Sequence, residues 1–456
     1  MNVNVLIFPA GAENALEIYD SLKYNLNVTV YGASGKKDFA EYKYPADKYI
    51  EGNFYVTDQN FDKNFQQIIE KYKIDVVIPT HDTIALYFAK NRDKFSAKIL
   101  VADYFTADIC RYKSKTYDLF KHEDFCPVVF DFKNLNSLKY PVFVKPDVGA
   151  GAVGAKLCHN VEELSKIENI DSYVICENLP GQEFSVDCFT STSGKLNFVG
   201  PRSRDRICHG IAYRSTTAEC TEEIRKIAEK INCKLHFLGA WYFQIKKDIN
   251  GKFKLLEISC RQAGTMTLSR HMGINFAMLG IFELMGISTS YVKNPGKLQV
   301  ERCLKNAFKY DYEYQNIYID FDDTITIKNF VNPKMMSFLY QCKNEGKKII
   351  LLTRHEGNLE EILGNLCIPQ SLFSRIIHID GTKEKKSFIQ KEKSIFIDNS
   401  FAERKAVFDE FGIPVFDVDM IDMLIDESKI FMGGGQKYSV IFADSVSLNW
   451  EVKYAA

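Results

Sequence analysis

The chain has 456 residues, 46% hydrophobic and 26% charged, with a formal net charge of −1; that length exceeds what one core organises, so roughly two to four domains are expected. The balanced charge offers no basic face for nucleic acid or an anionic membrane, and no apolar run reaches the roughly 20 residues that span a bilayer. The twelve cysteines include no Cys-x-x-Cys pair, which points to reduced, buried thiols and a cytoplasmic compartment rather than a disulfide framework.

The amino terminus, MNVNVLIFPAGAENAL, reads as strand, turn and helix, without the basic region and long apolar segment of a signal peptide. Residues 1–102 alternate strands (VNVLIF, NVTVYG, DKYIEG, DVVIPT, KILVA) with helices, the pattern of a small parallel α/β domain. A helix around Lys113–His122 follows. From Pro141 to Ser259 the strands come as neighbours (PVFVKP, AKLCH, SYVICEN, QEFSVDCFT, KLNFVG), which predicts mostly antiparallel sheet within a second domain, 103–290. A helix over Thr221–Ile231 breaks the series, and Asn250-Gly251 predicts a hairpin turn. Another helix is expected over Asn275–Met285. Residues 291–313, with Asn294-Pro295-Gly296, read as a connection. Residues 314–430 return to parallel α/β (NIYIDF, KKIILLT, RIIHID, KSIFIDN, PVFDV), and 431–456 form a tail without an assigned role.

Gly149, Gly151 and Gly154 make a literal G-x-G-x-x-G in DVGAGAVG. A dinucleotide site needs a helix after that loop, and AKLCHN reads as a strand, so the Rossmann reading fails. A glycine loop between antiparallel strands suits a flap whose N–H groups aim at phosphates, with Lys145 as a point charge on the strand leading in. With VICENLPGQEFSVD and FQIKKDINGKFKLLEISCRQAG, this loop resembles the ATP-grasp superfamily over residues 1 to about 290. The likeness is in particular to the ATP-grasp halves of carbamoyl-phosphate synthase and to single-copy amino-acid ligases. It implies a pre-ATP-grasp α/β domain plus antiparallel ATP-binding domains, and a carboxylate–amine ligase working through an acyl-phosphate. It also implies Lys113 and Lys145 on the ATP phosphates, Glu177, Asn178 and Leu179 as the hinge against adenine, and Glu183 on the ribose. Gln244, Glu257 and Ser259 would hold Mg²⁺, or Mn²⁺, and Arg261 would stabilise the acyl-phosphate. The family pattern at the metal is usually Glu-x-Asn; Ser259 departs from it.

Arg202, Arg204 and Arg206 alternate in GPRSRDRICHG, so an extended segment would turn all three to one side. One reading is a solvated edge strand whose charges deter pairing. The other puts Arg202 or Arg204 on the substrate carboxylate or the γ-phosphate. Cys208, His209 and His271 are expected to be structural.

The run IYIDFDDTIT places Asp320 and Asp322 at the carboxyl end of a buried strand, where α/β sheets hold ligands. Thr353 ends KKIILLT, Lys386 begins KSFIQK, and Asp398 and Asn399 end SIFID. A nucleophile, a hydroxyl, an ammonium and metal-holding carboxylates in that order suit phosphoryl transfer. Together they resemble the haloacid dehalogenase (HAD) superfamily, which implies Asp320 as nucleophile and Asp322 as general acid/base. Thr353 and Lys386 would hold phosphate, with Lys383 and Lys385 as rivals, and Asp398 would join Asp320 and the carbonyl of Asp322 on Mg²⁺. With 28 residues between Thr324 and Thr353 and 32 between Thr353 and Lys386, neither interval has room for a cap domain. The expected protein is thus a multidomain α/β and α+β chain, an ATP-grasp ligase followed by a capless HAD phosphatase. Its expected ligands are ATP, Mg²⁺ and a small carboxylate and amine, phosphorylated or not; a homodimer is compatible with this. Alternatives are a carbamoyl-phosphate synthase-like kinase of bicarbonate or carbamate, or a ligase whose HAD module is not catalytic.

Overall fold

A computed structural model describes residues 2–428 apart from 133–134, 136–137, 150, 289 and 381, so the proposed tail, 431–456, lies outside the described residues. The chain divides into two compact units, Met1–Lys305 and Asn306–Ala456. Among the described residues no helix is long and apolar enough to cross a membrane, and all twelve cysteines are free thiols.

The first unit begins with a parallel sheet of β1 (Val3–Phe8), β2 (Val28–Ser34), β3 (Tyr49–Glu51), β4 (Val76–Pro79) and β5 (Lys98–Ile99) in the order β3-β2-β1-β4-β5. Its strands read as unbroken apolar runs because both faces are covered. Phe8 packs on Phe61 and Phe65 from α2 (Phe61–Lys71) and on Phe88 from α3 (Asp82–Asn91). On the other face Val5 and Ile7 meet Ile18 of α1 (Glu13–Leu22). Next come α4 (Tyr104–Arg111), α5 (Lys113–Phe120), β6 (Val129–Phe130), β7 (Val142–Pro146), β8 (Lys156–Cys158), α6 (Val161–Ser165) and β9 (Tyr173–Glu177). Strands β6 to β9 form an antiparallel sheet in the order β6-β9-β7-β8.

A larger antiparallel sheet, ordered β11-β10-β14-β15, joins β10 (Glu183–Thr190), β11 (Leu196–Ser203), β14 (Gly239–Lys247) and β15 (Phe253–Ser259). Between its halves lie β12 (Arg206–Cys208), β13 (Ile211–Thr216) and α7 (Glu222–Lys234). The expected turn joins β14 to β15, with Asp248 Oδ1 accepting from Lys252 N at 2.9 Å. After α8 (Thr267–His271), α9 (Phe276–Leu284) returns to the first sheet, where Ala277, Met278 and Ile281 enter the core with Val3 and Val5. Residues 1–102 and 103–290 therefore share a core and form one unit. The connection is also shorter than 291–313, because β16 (Gln299–Glu301) pairs antiparallel with β13.

The second unit is a parallel sheet of β17 (Asn316–Ile319), β20 (Lys348–Thr353), β21 (Arg375–His378), β22 (Ser394–Ile397) and β23 (Val415–Phe416), ordered β21-β20-β17-β22-β23. A two-stranded flap, β18 (Thr326–Ile327) and β19 (Phe330–Val331), follows β17 directly. Ile317, Ile319 and Ile397 face Phe338 and Leu339 of α10 (Pro333–Asn344), alongside Leu359 and Leu363 of α11 (Leu359–Asn365). Tyr318 and Phe396 face Val407 of α12 (Phe401–Phe411) on the opposite side. In both units the order reverses between the first and fourth strands. That reversal opens a crevice at the carboxyl ends, where open sheets take ligands.

Candidate functional sites

In the first unit, Lys113, Lys145, Gly149, Gly151, Glu177, Asn178, Leu179, Glu183, Arg204, Gln244 and Glu257 line one cavity of about 360 Å³. The strands explain the convergence. Lys145 is next to last in β7 and stands opposite Val174 of β9, while Gln244 and Glu257 face each other across β14 and β15. Lys145 is buried; its ammonium donates to Leu256 O at 2.8 Å, and the Tyr117 hydroxyl shares that carbonyl at 2.7 Å. Burial holds the Lys145 ammonium below its usual pKa, with Cys176 and Glu257 opposing.

Asp147, just before the glycine loop, accepts from Ser114 N at 2.7 Å and Ser114 Oγ at 2.9 Å, which anchors the loop on the first turn of α5. Gly151 and Gly154 take φ values of +66° and +77°, which only glycine adopts readily. Gly154 closes the loop outside the cavity lining. Glu183 pairs with Arg204 at 2.6 Å and lies 3.9 Å from Lys246. Glu177 accepts from Val128 N at 2.8 Å, which fixes the edge of the cavity.

Two expected residues are engaged elsewhere. Arg202 is 2% exposed and its Nε bonds both oxygens of Asp187, at 3.0 and 3.1 Å, with Ser269 Oγ completing the cluster at 3.1 Å. It does not line the cavity that Arg204 lines. Arg204 remains beside β10, its N–H donating to Glu183 O at 3.1 Å, and its side chain joins the cavity lining. Arg206 shares Glu301 with Arg214 instead.

Ser259 is the second: its hydroxyl donates to Asp82 Oδ1 at 2.7 Å, which ties the end of β15 to the start of α3. Asp82 also takes Arg261 Nη2 at 2.9 Å. Burial alone would raise the Asp82 carboxyl, but the Arg261 charge and the Ser259 hydroxyl hold it at about 2. For the metal that the fold implies, Gln244 and Glu257 fit, since direct cross-strand partners put their side chains on one face about 5 Å apart. Among the described residues no group of three or more His, Cys, Asp or Glu could hold a metal. A site here would complete its shell with phosphate oxygens.

In the second unit Asp320 extends β17, its N–H donating to Ile397 O at 3.0 Å, and Asp398 extends the neighbouring β22. Asp320 is 6% exposed and Asp398 fully buried. Burial raises the Asp320 carboxyl against the pull of Lys385. Burial and the Asp320 charge push Asp398 up to about 6. Thr353 is within hydrogen-bonding reach of Asp320. Lys386 lies 3.3 Å from Glu384 and 3.8 Å from Glu410 and makes no ion pair with the two buried carboxylates among the described residues. Lys385 bridges the carboxylates, 2.7 Å from each. Residues 385–388 form a 3-10 turn rather than the start of an α-helix, and this turns Lys385 inward.

Two carboxylates with one ammonium leave excess negative charge, which would suit a divalent cation. Asp322 is bound by His355 Nδ1 at 2.8 Å, a partner with no sequence signal beyond its place after Thr353. Asn399 N donates to Thr324 Oγ1 at 3.1 Å and ties the flap base to β22.

Comparison with known proteins bears on the first unit. The family described as "ATP-grasp in the biosynthetic pathway with Ter operon" matches residues 169–305. No curated protein sequence matches the chain. N5-carboxyaminoimidazole synthetase from Staphylococcus aureus, complexed with ADP, superposes with a TM-score of 0.53 at 16% identity, covering 63% of this chain and 78% of that one. L-amino acid ligase from Bacillus licheniformis gives 0.50 at 19% identity, covering 62% and 74%. The biotin carboxylase domain of Hydrogenobacter thermophilus 2-oxoglutarate carboxylase, in complex with MgADP and bicarbonate, gives 0.53 at 13%, covering 66% and 74%. The chain carries the ATP-grasp fold.

Proposed function

We propose that the first unit is an ATP-dependent carboxylate–amine ligase that works through an acyl-phosphate. The observation that carries this reading is the single cavity shared by Lys113, Lys145, the glycine loop and the Gln244–Glu257 pair. Lys145 and Lys113 neutralise triphosphate charge, and the glycine N–H groups bind phosphate oxygens. Asn178 and Leu179 form the adenine edge, and the ribose hydroxyls share Glu183 with Arg204. Gln244 and Glu257 would hold Mg²⁺, which would supply charge neutralisation on the transferring phosphoryl group. A substrate carboxylate oxygen attacks the γ-phosphorus and ADP leaves. An amine then attacks the acyl carbon, and phosphate departs with the bond's electron pair. Arg261, fixed by Asp82, faces the charge that builds on the acyl-phosphate.

The second unit is proposed to be a capless HAD phosphatase acting on the substrate or product of that ligase. Asp320 attacks phosphorus, and Asp322, oriented by His355, protonates the leaving oxygen and then takes a proton from the hydrolytic water. Lys385 and Thr353 hold the phosphoryl oxygens; Asp320 and Asp398 would hold Mg²⁺, which would add positive charge there.

ADP release by the Asp320→Asn chain with Mg-ATP, against pools of amino acids and small carboxylates, tests the ligase without phosphatase background. ADP that requires both a carboxylate and an amine supports it. ADP with bicarbonate alone supports kinase chemistry of the carbamoyl-phosphate type instead.

A further inference from the structure

The first sheet reverses between β1 and β4, and the crevice beyond their carboxyl ends is bordered by three segments of distant sequence. Asn14, at the start of α1, donates to Thr80 O at 2.8 Å and to Gln262 O at 2.9 Å, so the ends of β4 and β15 are held together there. Arg261 adjoins this clasp. Its Nη2 is spent on Asp82 and its Nη1 on Gln262 O, while Nε is buried without a hydrogen-bond partner among the described residues. A buried guanidinium N–H without an acceptor is destabilising unless a ligand supplies one.

Arg111 borders the same place. Helix α4 packs against both α3 and β15, and Cys110 near its end lies within hydrogen-bonding reach of Cys260. Arg111, the last residue of α4, is thereby placed near Arg261 and close enough to His81, the cap of α3, to act on its charge. The His81 imidazole registers this charge: burial holds it below its usual pKa against Asp82, and Arg261 and Arg111 lower it further. Arg270 is neutralised by Glu17, Arg302 by Glu13 and Arg261 by Asp82, whereas Arg111 makes no ion pair or side-chain hydrogen bond among the described residues. Lys113, two residues on, lines the nucleotide cavity, and two residues span at most about 7 Å. A net positive charge at the sheet's ligand crevice thus lies within a small molecule's length of the triphosphate site.

We propose that Arg111, with the free Nε of Arg261, binds an anionic group of the ligase's acid substrate, a carboxylate or a phosphate monoester, at this crevice. The proposal rests on the ligase reading and narrows its substrate class. Lys113 and Lys145 serve the nucleotide, and Arg111 selects the acid that meets it.

Isothermal titration calorimetry of the full chain with inorganic phosphate and with succinate tests this, with and without saturating Mg–AMPPNP, which blocks the triphosphate subsites. At least one anion is expected to bind the wild type beside Mg–AMPPNP. Arg111→Ala should weaken it about tenfold or more, and Arg111→Lys should keep part of the affinity. Mg–AMPPNP binding should stay unchanged in both variants. The Arg111 dependence separates this site from phosphate held beside Asp320, and the preferred anion tells a phosphate group from a carboxylate. Failure of both anions to bind the wild type, or equal binding by Arg111→Ala, overturns the proposal. Anion binding that depends on Arg111 in a chain that does not bind Mg–AMPPNP would instead sink the ligase reading and leave the anion site standing.

Discussion

The Lys385 ammonium stands 2.7 Å from Asp320 Oδ1, and the same nitrogen is 2.7 Å from Asp398 Oδ2. All three side chains are buried, so the lysine both balances the pair electrostatically and presents a donor beside Asp320, the proposed nucleophile. Removing it leaves two buried carboxylates uncompensated, a loss of about 3–5 kcal/mol for a broken buried pair. Lys385→Ala should therefore lower both the melting temperature and p-nitrophenyl phosphate hydrolysis, the latter by about 100-fold or more. Lys386→Ala, whose partners are exposed glutamates, should change neither; equal losses from the two variants would contradict this assignment.

His355 acts on Asp322 from outside the sheet. Its Nδ1 is 2.8 Å from the carboxylate, and its backbone N–H donates to Thr353 Oγ1 at 3.1 Å, so the ring is carried by the strand end that also holds Thr353. His355→Ala should lower kcat for phosphate ester hydrolysis by about tenfold while KM changes little, since the ring touches the proton carrier and not the phosphate. Asp322→Asn should cost about 10²–10⁴. Stopped-flow measurement of both constants separates the two effects.

Asp82 links Ser259 and Arg261 to the first sheet, and its carboxyl lies at about 2, below the unfolded value of about 3.9. A depressed carboxyl adds stability that is fully present above about pH 4 and is lost as pH falls toward 2. The gap corresponds to about 2–3 kcal/mol at neutral pH. Asp82→Asn should be less stable by this order at pH 7, and the difference from wild type should shrink on acidification from pH 4 to pH 2. Urea unfolding across that range checks it. A gap that stays constant would assign the effect to lost hydrogen bonds rather than charge.

Both parallel sheets were legible in the sequence because their strands are buried on two faces and appear as uninterrupted apolar runs, as in Ile317–Ile319 and Ile395–Ile397. The residues lining the first unit's cavity were legible as a set because most sit in or beside paired strands or in one glycine loop, where local spacing sets position. What escaped depends on where elements stop or on distant contacts. Choosing among Lys383, Lys385 and Lys386 required the 3-10 turn. Separating Arg202 from Arg204 required their partners, Asp187 and Glu183. The Ser259–Asp82 bond joins residues 177 apart in sequence, and no local pattern encodes it.

The glycine loop is held from above by the β12–β13 turn, and this gives a last expectation. Gly210 has φ +73°, and a Cβ built there would lie 2.3 Å from Gly151 C and 2.5 Å from Ala152 N. Both neighbours are backbone atoms of the phosphate loop, so an added methyl group must displace the loop rather than a flexible side chain. Gly194 serves as the control: its φ is +79°, and a Cβ there meets nothing within 4 Å. Both alanine variants carry similar left-handed backbone strain, about 1–2 kcal/mol. Only Gly210→Ala adds the collision, so it alone should weaken nucleotide binding, by about tenfold, for a comparable change in melting temperature. Fluorescence titration with a labelled ATP analogue distinguishes the pair. Equal affinities would mean that the loop adopts its phosphate-binding form independently of the turn above it.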